Sequence, residues 1–352
     1  MRIKVAFLDE NSNYLSRVTS VFNNKFSDKL EIYSFSEPEV AIKSLSENRI
    51  NVFVASDFFD IDVSRVPKRC GFAYFVDSAS VESYKGERAI CRFQKAEIIY
   101  KEILGIFSES ATDIKLDGEA NTRVYAFASA GGGEGSSTVA AAAAKRIALM
   151  GRRVLYICFE EFGNADSFFS GEGTFGMSDV IFAIKSNKSN LALKLESYVK
   201  TDNSGVCFFS GARSALDISE LNPEDIGRMI SALKITGTYD NIIIDFDLNF
   251  SDISVEIFKL AEKIFLICDG GEISNQKFMN AYRAFEVLEQ RKDINIVTKT
   301  ALFYNKFSSK TGKAISESDI KVIGGAPRFE NATVSQVTEQ LSQMSVMDKI
   351  IE

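Results

Sequence analysis

The sequence predicts an α/β protein built from two doubly wound domains with mostly parallel sheets. Short apolar runs alternate with helical patterns, and a polar stretch interrupts this alternation once. The 352 residues are 45% hydrophobic and 25% charged, which is the balance of a soluble globular protein. A chain of this length exceeds the usual domain size of roughly 100–200 residues. Regular alternation of strands and helices is typical of parallel sheets covered by helices.

Residues 1–107 are predicted to form the first domain. Apolar runs of this length between helical patterns indicate strands, and the runs are IKVAFL, LEIYSF, INVFVA, GFAYFV and RAICRF. Residues 108–121 (SESATDIKLDGEAN) are polar and lack apolar periodicity. We expect them to be a solvated linker.

The second domain is predicted to span residues 122–352. Its expected strands are TRVYAFAS, RRVLYICF, GVCFFSG, YDNIIIDF, KIFLICD and TKTALFYN. The C-terminal stretch VSQVTEQLSQMSVMDKIIE is predicted to be an amphipathic helix, but it carries a single lysine and no arginine. A membrane-binding tail is therefore disfavoured.

The composition excludes several kinds of chemistry. The chain has no histidine, which rules out a Ser/His/Asp triad, a histidine-ligated metal and a phosphohistidine relay within it. Five cysteines without a CxxC pair favour a reducing compartment. No apolar run approaches the roughly 20 residues of a membrane span, and the net charge is −7. We expect a cytoplasmic protein with no direct membrane insertion and no nucleic-acid partner.

A glycine-rich segment between a predicted strand and a predicted helix, VYAFASAGGGEGSSTVAAAAAKRIALMG, has the layout of a phosphate-binding loop. Glycine lets backbone N–H groups approach an anion, and the partial positive charge of a helix N-terminus faces it. The Ser137 hydroxyl is a candidate Mg²⁺ ligand. The alternative is an ordinary glycine-rich turn. The predicted phosphate-binding residues are Gly131, Gly132, Gly133, Glu134, Gly135, Ser136, Ser137 and Thr138.

This segment departs from the pattern GxxxxGK[ST]. Ala130 stands at the first glycine and Ser136 at the lysine. A lysine about 4 Å from a phosphate oxygen contributes roughly 4 kcal/mol at an effective dielectric constant near 20. Its loss should weaken hydrolysis more than ground-state binding. We expect Glu134 to point to solvent, because a carboxylate facing the phosphates would repel them.

Carboxylates follow two of the predicted strands. Asp245 and Asp247 end YDNIIIDFD, and Glu160 and Glu161 follow VLYICF. Ligands bind at the carboxyl ends of strands in open α/β sheets. Asp245 is therefore predicted to hold Mg²⁺ through water, with Glu160 and Asp245 as the candidate catalytic carboxylates. Solvated loop acids are the alternative.

Together these segments resemble the MinD/ParA superfamily of deviant Walker-A ATPases, whose loop reads KGGxGK[ST] where this chain reads GGGEGSS. Within it, the chain is most similar to CpaE/TadZ pilus-assembly proteins. The resemblance covers nearly the whole chain. It implies a receiver-like (flavodoxin-like) domain followed by a MinD-like P-loop domain.

The resemblance also implies ATP and Mg²⁺ as cofactors and assigns further positions. VLYICFEEFGNAD corresponds to the switch segment, in which Cys158 replaces the first aspartate and Glu160 keeps a carboxylate. Gly131 replaces the signature lysine, and Arg213 or Arg328 is a hypothetical substitute for the missing charge. Asn305 falls at the base-contacting asparagine, and the adenine-lining segment is Pro327, Arg328 and Phe329.

The first domain resembles a response-regulator receiver. Asp9 and Glu10 fit its acidic pair, and Arg92 lies about where the receiver lysine is expected. The phosphoacceptor position falls on Ser56, with Asp57 one residue later. Because strand side chains alternate between faces, we expect Asp57 to turn away from the pocket. A pseudo-receiver used for targeting is preferred, and phosphorylation of Asp57 is the alternative.

The leading functional hypothesis is an ATP-binding, homodimeric assembly or localisation factor for a Flp/Tad-type pilus. ATP would act mainly as a structural clamp, with weak or no hydrolysis. The expected partners are the pilus-assembly machinery or polar localisation proteins, which could recruit the protein to a cell pole. A cycling MinD/ParA-like ATPase and a nucleotide-free scaffold are the alternatives.

Overall fold

The computed structural model describes residues 2–110, 121–186, 190–316 and 321–351. The chain forms two compact units. Of the described residues, 2–110 and 190–197 form the first unit, and 121–186, 198–316 and 321–351 form the second. Most of the predicted linker, residues 111–120, lies outside the described residues. The proposed domain boundary therefore stays a prediction.

The first unit is a parallel sheet with helices between its strands. Its elements are β1 (Ile3–Leu8), α1 (Ser12–Lys25), β2 (Leu30–Phe35), α2 (Pro38–Glu47), β3 (Val52–Ser56), β4 (Gly71–Val76), β5 (Ser83–Tyr84), β6 (Glu87–Cys91) and α3 (Ala96–Ser110). The strand order is β2-β1-β3-β4-β6-β5, in which only the short β5 is antiparallel to its neighbour. Every residue of β4 is buried, as expected for a central strand covered on both faces.

The second unit contains the larger sheet. The helices and strands that follow α3 along the chain are β7 (Arg123–Ser129), α4 (Ser136–Leu149), β8 (Val154–Cys158), α5 (Met177–Lys185), α6 (Leu191–Tyr198), β9 (Lys200–Thr201), β10 (Cys207–Phe208), α7 (Ala215–Ser219), α8 (Pro223–Ile235), β11 (Asn241–Asp245), α9 (Asp252–Leu260), β12 (Lys263–Cys268), α10 (Glu272–Lys292), β13 (Thr300–Tyr304), β14 (Lys321–Gly325), α11 (Val334–Gln343) and α12 (Asp348–Ile351). By its contacts, α6 groups with the first unit as far as Ser197.

The second sheet has the order β14-β13-β12-β7-β11-β8-β10-β9, and only β9 is antiparallel to its neighbour. The central strand β7 leads directly into the glycine-rich segment, and β8, β11, β12 and β13 end at the same edge. Helix α4 is buried on the sheet through residues 140–144, all alanine and fully buried. Small side chains at these positions let the helix that carries the loop pack closely against the sheet.

The C-terminal segment differs from the single helix that its sequence predicts. Helix α11 ends at Gln343, and a separate short helix, α12, begins at Asp348. Leu341, Met347 and Ile350 belong to the core that also contains α4, and Asp348 forms an ion pair with Arg146. The apolar face of this segment is therefore packed inside the unit. Among the described helices, none combines the length and apolar character that crossing a membrane requires.

Candidate functional site

The glycine-rich loop joins the end of β7 to the start of α4. Gly133 and Gly135 have backbone φ angles of 78° and 87°, a region that glycine adopts without steric cost. A Cβ atom on Gly135 would also lie 2.5 Å from the Asn305 Nδ2 atom. The path of the loop therefore requires glycine at position 135.

The loop presents backbone donors at the N-terminus of α4. Gly135 is the N-cap residue of this helix, and no side-chain hydrogen bond caps it. Ser137 and Thr138 in the first turn are half-buried, while Gly132 and Gly133 are exposed. An uncapped helix N-terminus preceded by exposed glycines is an arrangement suited to an anion.

The expectation that Glu134 points to solvent is wrong. Its exposed fraction is 6%, and its carboxylate accepts hydrogen bonds from the Ser274 hydroxyl and from the Gly131 N–H at 3.3 Å. Burial raises the pKa of Glu134, although the Ser274 hydrogen bond opposes this shift. A Cβ atom on Gly131 would lie 2.4 Å from the Glu134 Oε1 atom. The signature lysine therefore cannot occupy position 131 while Glu134 keeps this conformation.

Two residues at the end of β13 hold the loop from the other side. Asn305 is 2% exposed, and its amide donates to the Glu134 carbonyl at 2.8 Å. The Lys306 amine donates to the Gly133 carbonyl at 2.6 Å. The base contact predicted for Asn305 stays a prediction. Sequence reasoning missed Lys306, although a lysine directly after a strand beside the phosphate loop could have indicated it.

The predicted carboxylates meet beside the first turn of α4. Ser137 donates from its hydroxyl to Glu160 Oε1 at 3.0 Å. Asp245 is fully buried, and the Tyr156 hydroxyl donates to its Oδ2 atom at 2.6 Å. The structure thus brings the two candidate metal ligands, Ser137 and Asp245, together with Glu160. Glu161, in contrast, is exposed.

Both carboxylates of this cluster have raised pKa values. Burial is the largest cause that raises the pKa of Asp245, to about 8, and the charge of Glu160 adds to it. Burial also raises the pKa of Glu160, and the Ser137 hydrogen bond opposes that shift. Within the described part of the chain, no lysine or arginine forms an ion pair with either carboxylate. The Asp245 Oδ1 atom is buried without a hydrogen-bond partner.

These residues fit a divalent cation. Hydroxyl and carboxylate oxygens are the ligands that Mg²⁺ prefers in proteins, and the unpartnered Asp245 Oδ1 atom offers one more acceptor. Cys158 also lies here, because it pairs with Asp245 in the register of β8 and β11. A thiol is not a typical Mg²⁺ ligand.

Two neighbouring cavities adjoin the loop. One of about 420 Å³ is lined by Gly131–Glu134, Asp269, Gly271–Ser274 and Lys277. The other, of about 560 Å³, is lined by Asp269, Gly271, Lys306–Gly312, Pro327, Arg328 and Glu330. Both volumes fall in the range of small-molecule sites.

The remaining predicted nucleotide-binding residues are divided between this region and others. Pro327 and Arg328 line the larger cavity, whereas Phe329 packs against the core of the second unit. Arg213, one hypothetical source of the missing charge, forms an ion pair with Asp179 at 2.9 Å. The structure therefore leaves Arg328, and not Arg213, among the cavity cations.

The acidic pocket of the first unit is built differently. The Arg92 guanidinium lies 3.1 Å from Asp9 Oδ2, 2.7 Å from Asp57 Oδ1 and 2.9 Å from Asp77 Oδ1, and it also donates to the Ser56 hydroxyl. The expectation that Asp57 turns away from the pocket is wrong. Strand β3 ends at Ser56, so the alternation of side chains no longer constrains the next residue.

Comparison with known proteins places these two units. Residues 1–108 match the sequence model of a family described as "TadZ-like, receiver domain". No curated protein matches the chain significantly. Among solved structures, a ParA family ATPase from Chlorobium tepidum TLS aligns with a TM-score of 0.54 and 19% identity, over 66% of this chain and 99% of that one. MinD in the MinC:MinD cell division complex of Aquifex aeolicus aligns with a TM-score of 0.50 and 17% identity, over 65% of this chain and 94% of that one.

At identities this low, the structural alignments establish the fold alone. They confirm the predicted fold class. The parallel order of both sheets agrees with it. The chain therefore joins a domain similar to the TadZ-like receiver family to a domain of the ParA/MinD fold, and this order of domains is the one that the resemblance to CpaE/TadZ proteins predicts.

Proposed function

We propose that this protein is an ATP-binding, dimerising assembly or localisation factor of the Flp/Tad pilus type. Mg²⁺-ATP acts in it mainly as a structural clamp, with weak or no hydrolysis. One observation carries the proposal: an uncapped helix N-terminus and its glycine loop lie beside Ser137, Glu160 and Asp245, while positions 131 and 136 lack lysine.

Binding would rest on the backbone of the loop. The N–H groups at the start of α4 would donate to the phosphates, and Ser137 with Asp245 would hold Mg²⁺. When bound, the cation neutralises phosphate charge. Lys277 and Lys306 line the two cavities and would supply positive charge from outside the loop.

Hydrolysis would suffer more than binding. Charge that develops on the leaving phosphate needs a cation placed where it appears, and neither lysine position of the Walker pattern provides one. Glu134 adds a buried negative group within the loop. The loop thus favours retention of the nucleotide over its turnover, which suits a clamp between two subunits.

The receiver-like domain would provide the contact with the pilus-assembly machinery or with a polar localisation protein. Its acidic pocket already contains the Arg92 guanidinium. A pocket whose acids are paired with an internal cation has less need of Mg²⁺ or a phosphoryl group. This arrangement supports binding of a partner protein, and not phosphorylation, as the function of the domain.

Calorimetry with Mg²⁺-ATP and sedimentation velocity would test the proposal on the full chain. We expect micromolar binding, an ATP-dependent dimer and phosphate release far below ordinary ATPase rates. Ser136→Lys should increase phosphate release. Ser335→Lys adds the same charge in the first turn of α11, outside both cavities, and should leave it unchanged. Wild-type turnover at ordinary ATPase rates would instead support a cycling ATPase.

A nucleotide-free scaffold is the second candidate, and the burial of Glu134 against the loop favours it. Glu134→Ala removes this carboxylate. If neither the wild type nor this variant binds ATP, the scaffold is the better description. If both bind and the variant binds more tightly, Glu134 opposes a nucleotide that the loop nevertheless accepts.

A further inference from the structure

Cys158 lies among the carboxylates of the second unit, at a position where the resemblance leads us to expect an aspartate. We infer that Cys158, Glu160 and Asp245 form a binding site for a thiophilic divalent cation, with Zn²⁺ as the representative, that fills without nucleotide. This goes beyond the proposed function, in which the same carboxylates serve Mg²⁺-ATP.

The first support is the position of the donor atoms. The Cys158 Sγ atom and one carboxylate oxygen each of Glu160 and Asp245 lie within 4.8 Å of one another. Donors on one tetrahedral zinc are separated by about 3.3 to 3.8 Å. Side-chain movements of about 1 Å would therefore bring all three onto one ion.

The backbone beyond β8 closes over these donors. A Cβ atom on Gly163 would lie 2.6 Å from the Cys158 Sγ atom and 2.7 Å from a Glu160 carboxylate oxygen. The chain after Glu160 thus passes directly against the sulfur and the carboxylate, and glycine permits this approach. The half-buried Glu160 leaves one side of the site accessible to solvent.

The second, independent support is Asp245 itself. Its Oδ1 atom is buried and has no hydrogen-bond partner, an arrangement that is destabilising when the acceptor is left unsatisfied. Its Oδ2 atom accepts from the Tyr156 hydroxyl at 2.6 Å. Such an outer hydrogen bond is the usual means by which a protein orients a ligating carboxylate. A cation at Oδ1 would satisfy the remaining acceptor.

The ligand set selects the metal. A thiolate with two carboxylates leaves one tetrahedral position open to water, as in zinc sites with three protein ligands. Soft sulfur ligands favour Zn²⁺ and related ions, whereas Mg²⁺ takes oxygen ligands in near-octahedral geometry. On binding, the Cys158 thiol would release its proton to solvent. Because Glu160 and Asp245 are shared, Zn²⁺ would compete with Mg²⁺.

Cobalt(II) titration of the full chain, prepared metal-free and without nucleotide, would test the inference. We expect near-ultraviolet absorption from thiolate-to-cobalt charge transfer that saturates at one equivalent. One equivalent of Zn²⁺ should abolish the absorption, and millimolar Mg²⁺ should not. Cys158→Ser should remove it, while Cys207→Ser, at a cysteine on β10, should leave it intact.

Other outcomes would overturn the inference. Absence of the absorption in the wild type would do so, as would its persistence in Cys158→Ser. If Cys158→Ser does not fold by circular dichroism, Glu160→Gln serves instead and should weaken cobalt binding by at least about tenfold. Cobalt binding is measured without nucleotide and ATP binding with Mg²⁺ alone, so either result can fail while the other stands.

Discussion

Two buried aspartates at the carboxyl ends of parallel strands meet opposite surroundings in the two units. Asp9, after β1, and Asp245, at the end of β11, are both fully buried. Asp9 has the Arg92 guanidinium 3.1 Å away, whereas no cationic side chain in the described ranges pairs with Asp245. A pocket that contains a cationic side chain, like that of Asp9, needs no ligand to balance its acidic side chains. A pocket without such a cation, like that of Asp245, leaves its carboxylate available to a cationic ligand.

The largest effect is expected at Arg92. We expect Arg92→Ala to cost about 3 to 5 kcal/mol in the stability of the first unit, because it leaves buried Asp9 without its counter-charge. Hydrogen exchange of peptides from β1 and β4, read by mass spectrometry, reports on this unit separately. Arg92→Lys keeps one charge and should lose less.

Millimolar Mg²⁺ provides a second measurement on the same variant. It should slow exchange in Arg92→Ala and leave the wild type unchanged, because only the variant has unbalanced acids. Equal exchange in the variant and the wild type would mean that Arg92 is not what balances Asp9.

Substitution of Asp245 should stabilise its unit, whereas substitution of Arg92 should destabilise the other. Its folded-state pKa, about 8, lies above its ordinary value of 3.8. The folded state therefore holds a proton that the unfolded state has lost, and stability falls as the pH rises through this window. At pH 8 in EDTA, we expect Asp245→Asn to gain about 1 to 3 kcal/mol. The asparagine amide at position 245 can still accept a hydrogen bond from the Tyr156 hydroxyl, and it can donate one to the Glu160 carboxylate.

Urea denaturation at pH 5.5 and pH 8, followed by hydrogen exchange of β11, measures this effect. Asp247→Asn, at the exposed neighbour, is the control and should change little. A wild type whose second unit is as stable at pH 8 as at pH 5.5 would contradict the buried, cation-free description of Asp245.

Features that depend on local sequence could be predicted, whereas contacts between distant parts of the chain could not. Apolar runs predicted the central strands, and glycine spacing predicted the loop before α4, because both signals are local. The expectation of a solvent-exposed Glu134 is wrong because its partner, Ser274, is 140 residues away along the chain. The expectation for Asp57 is wrong because the alternation of side chains ends with strand β3, at Ser56. The short β14, outside the predicted strands, has exposed residues at its start and lacks a continuous apolar run.

Glu134 is an intermediate case, because among the described residues a hydroxyl and a backbone N–H hydrogen-bond to its carboxylate and no lysine or arginine forms an ion pair with it. We expect Gly131→Lys alone to destabilise the loop by about 1 kcal/mol or more, because its side chain meets Glu134. Adding Glu134→Ala should recover most of this loss. A double-mutant cycle measured by hydrogen exchange of β7 and α4 gives the coupling, and strict additivity would show that the two positions do not compete.

The smallest effect is expected at Gly132, and it tests whether the loop keeps its shape without a ligand. A Cβ atom on Gly132 would meet no heavy atom within 4 Å, whereas one on Gly135 would meet the Asn305 amide at 2.5 Å from a backbone with φ of 87°. Gly132→Ala should therefore change stability by less than about 0.5 kcal/mol, and Gly135→Ala should cost at least about 1 kcal/mol. Thermal denaturation compares the pair directly. Equal losses would mean that the loop is not preformed, and the contrast between an acidic pocket filled by the chain and one prepared for a ligand would then lose its structural basis.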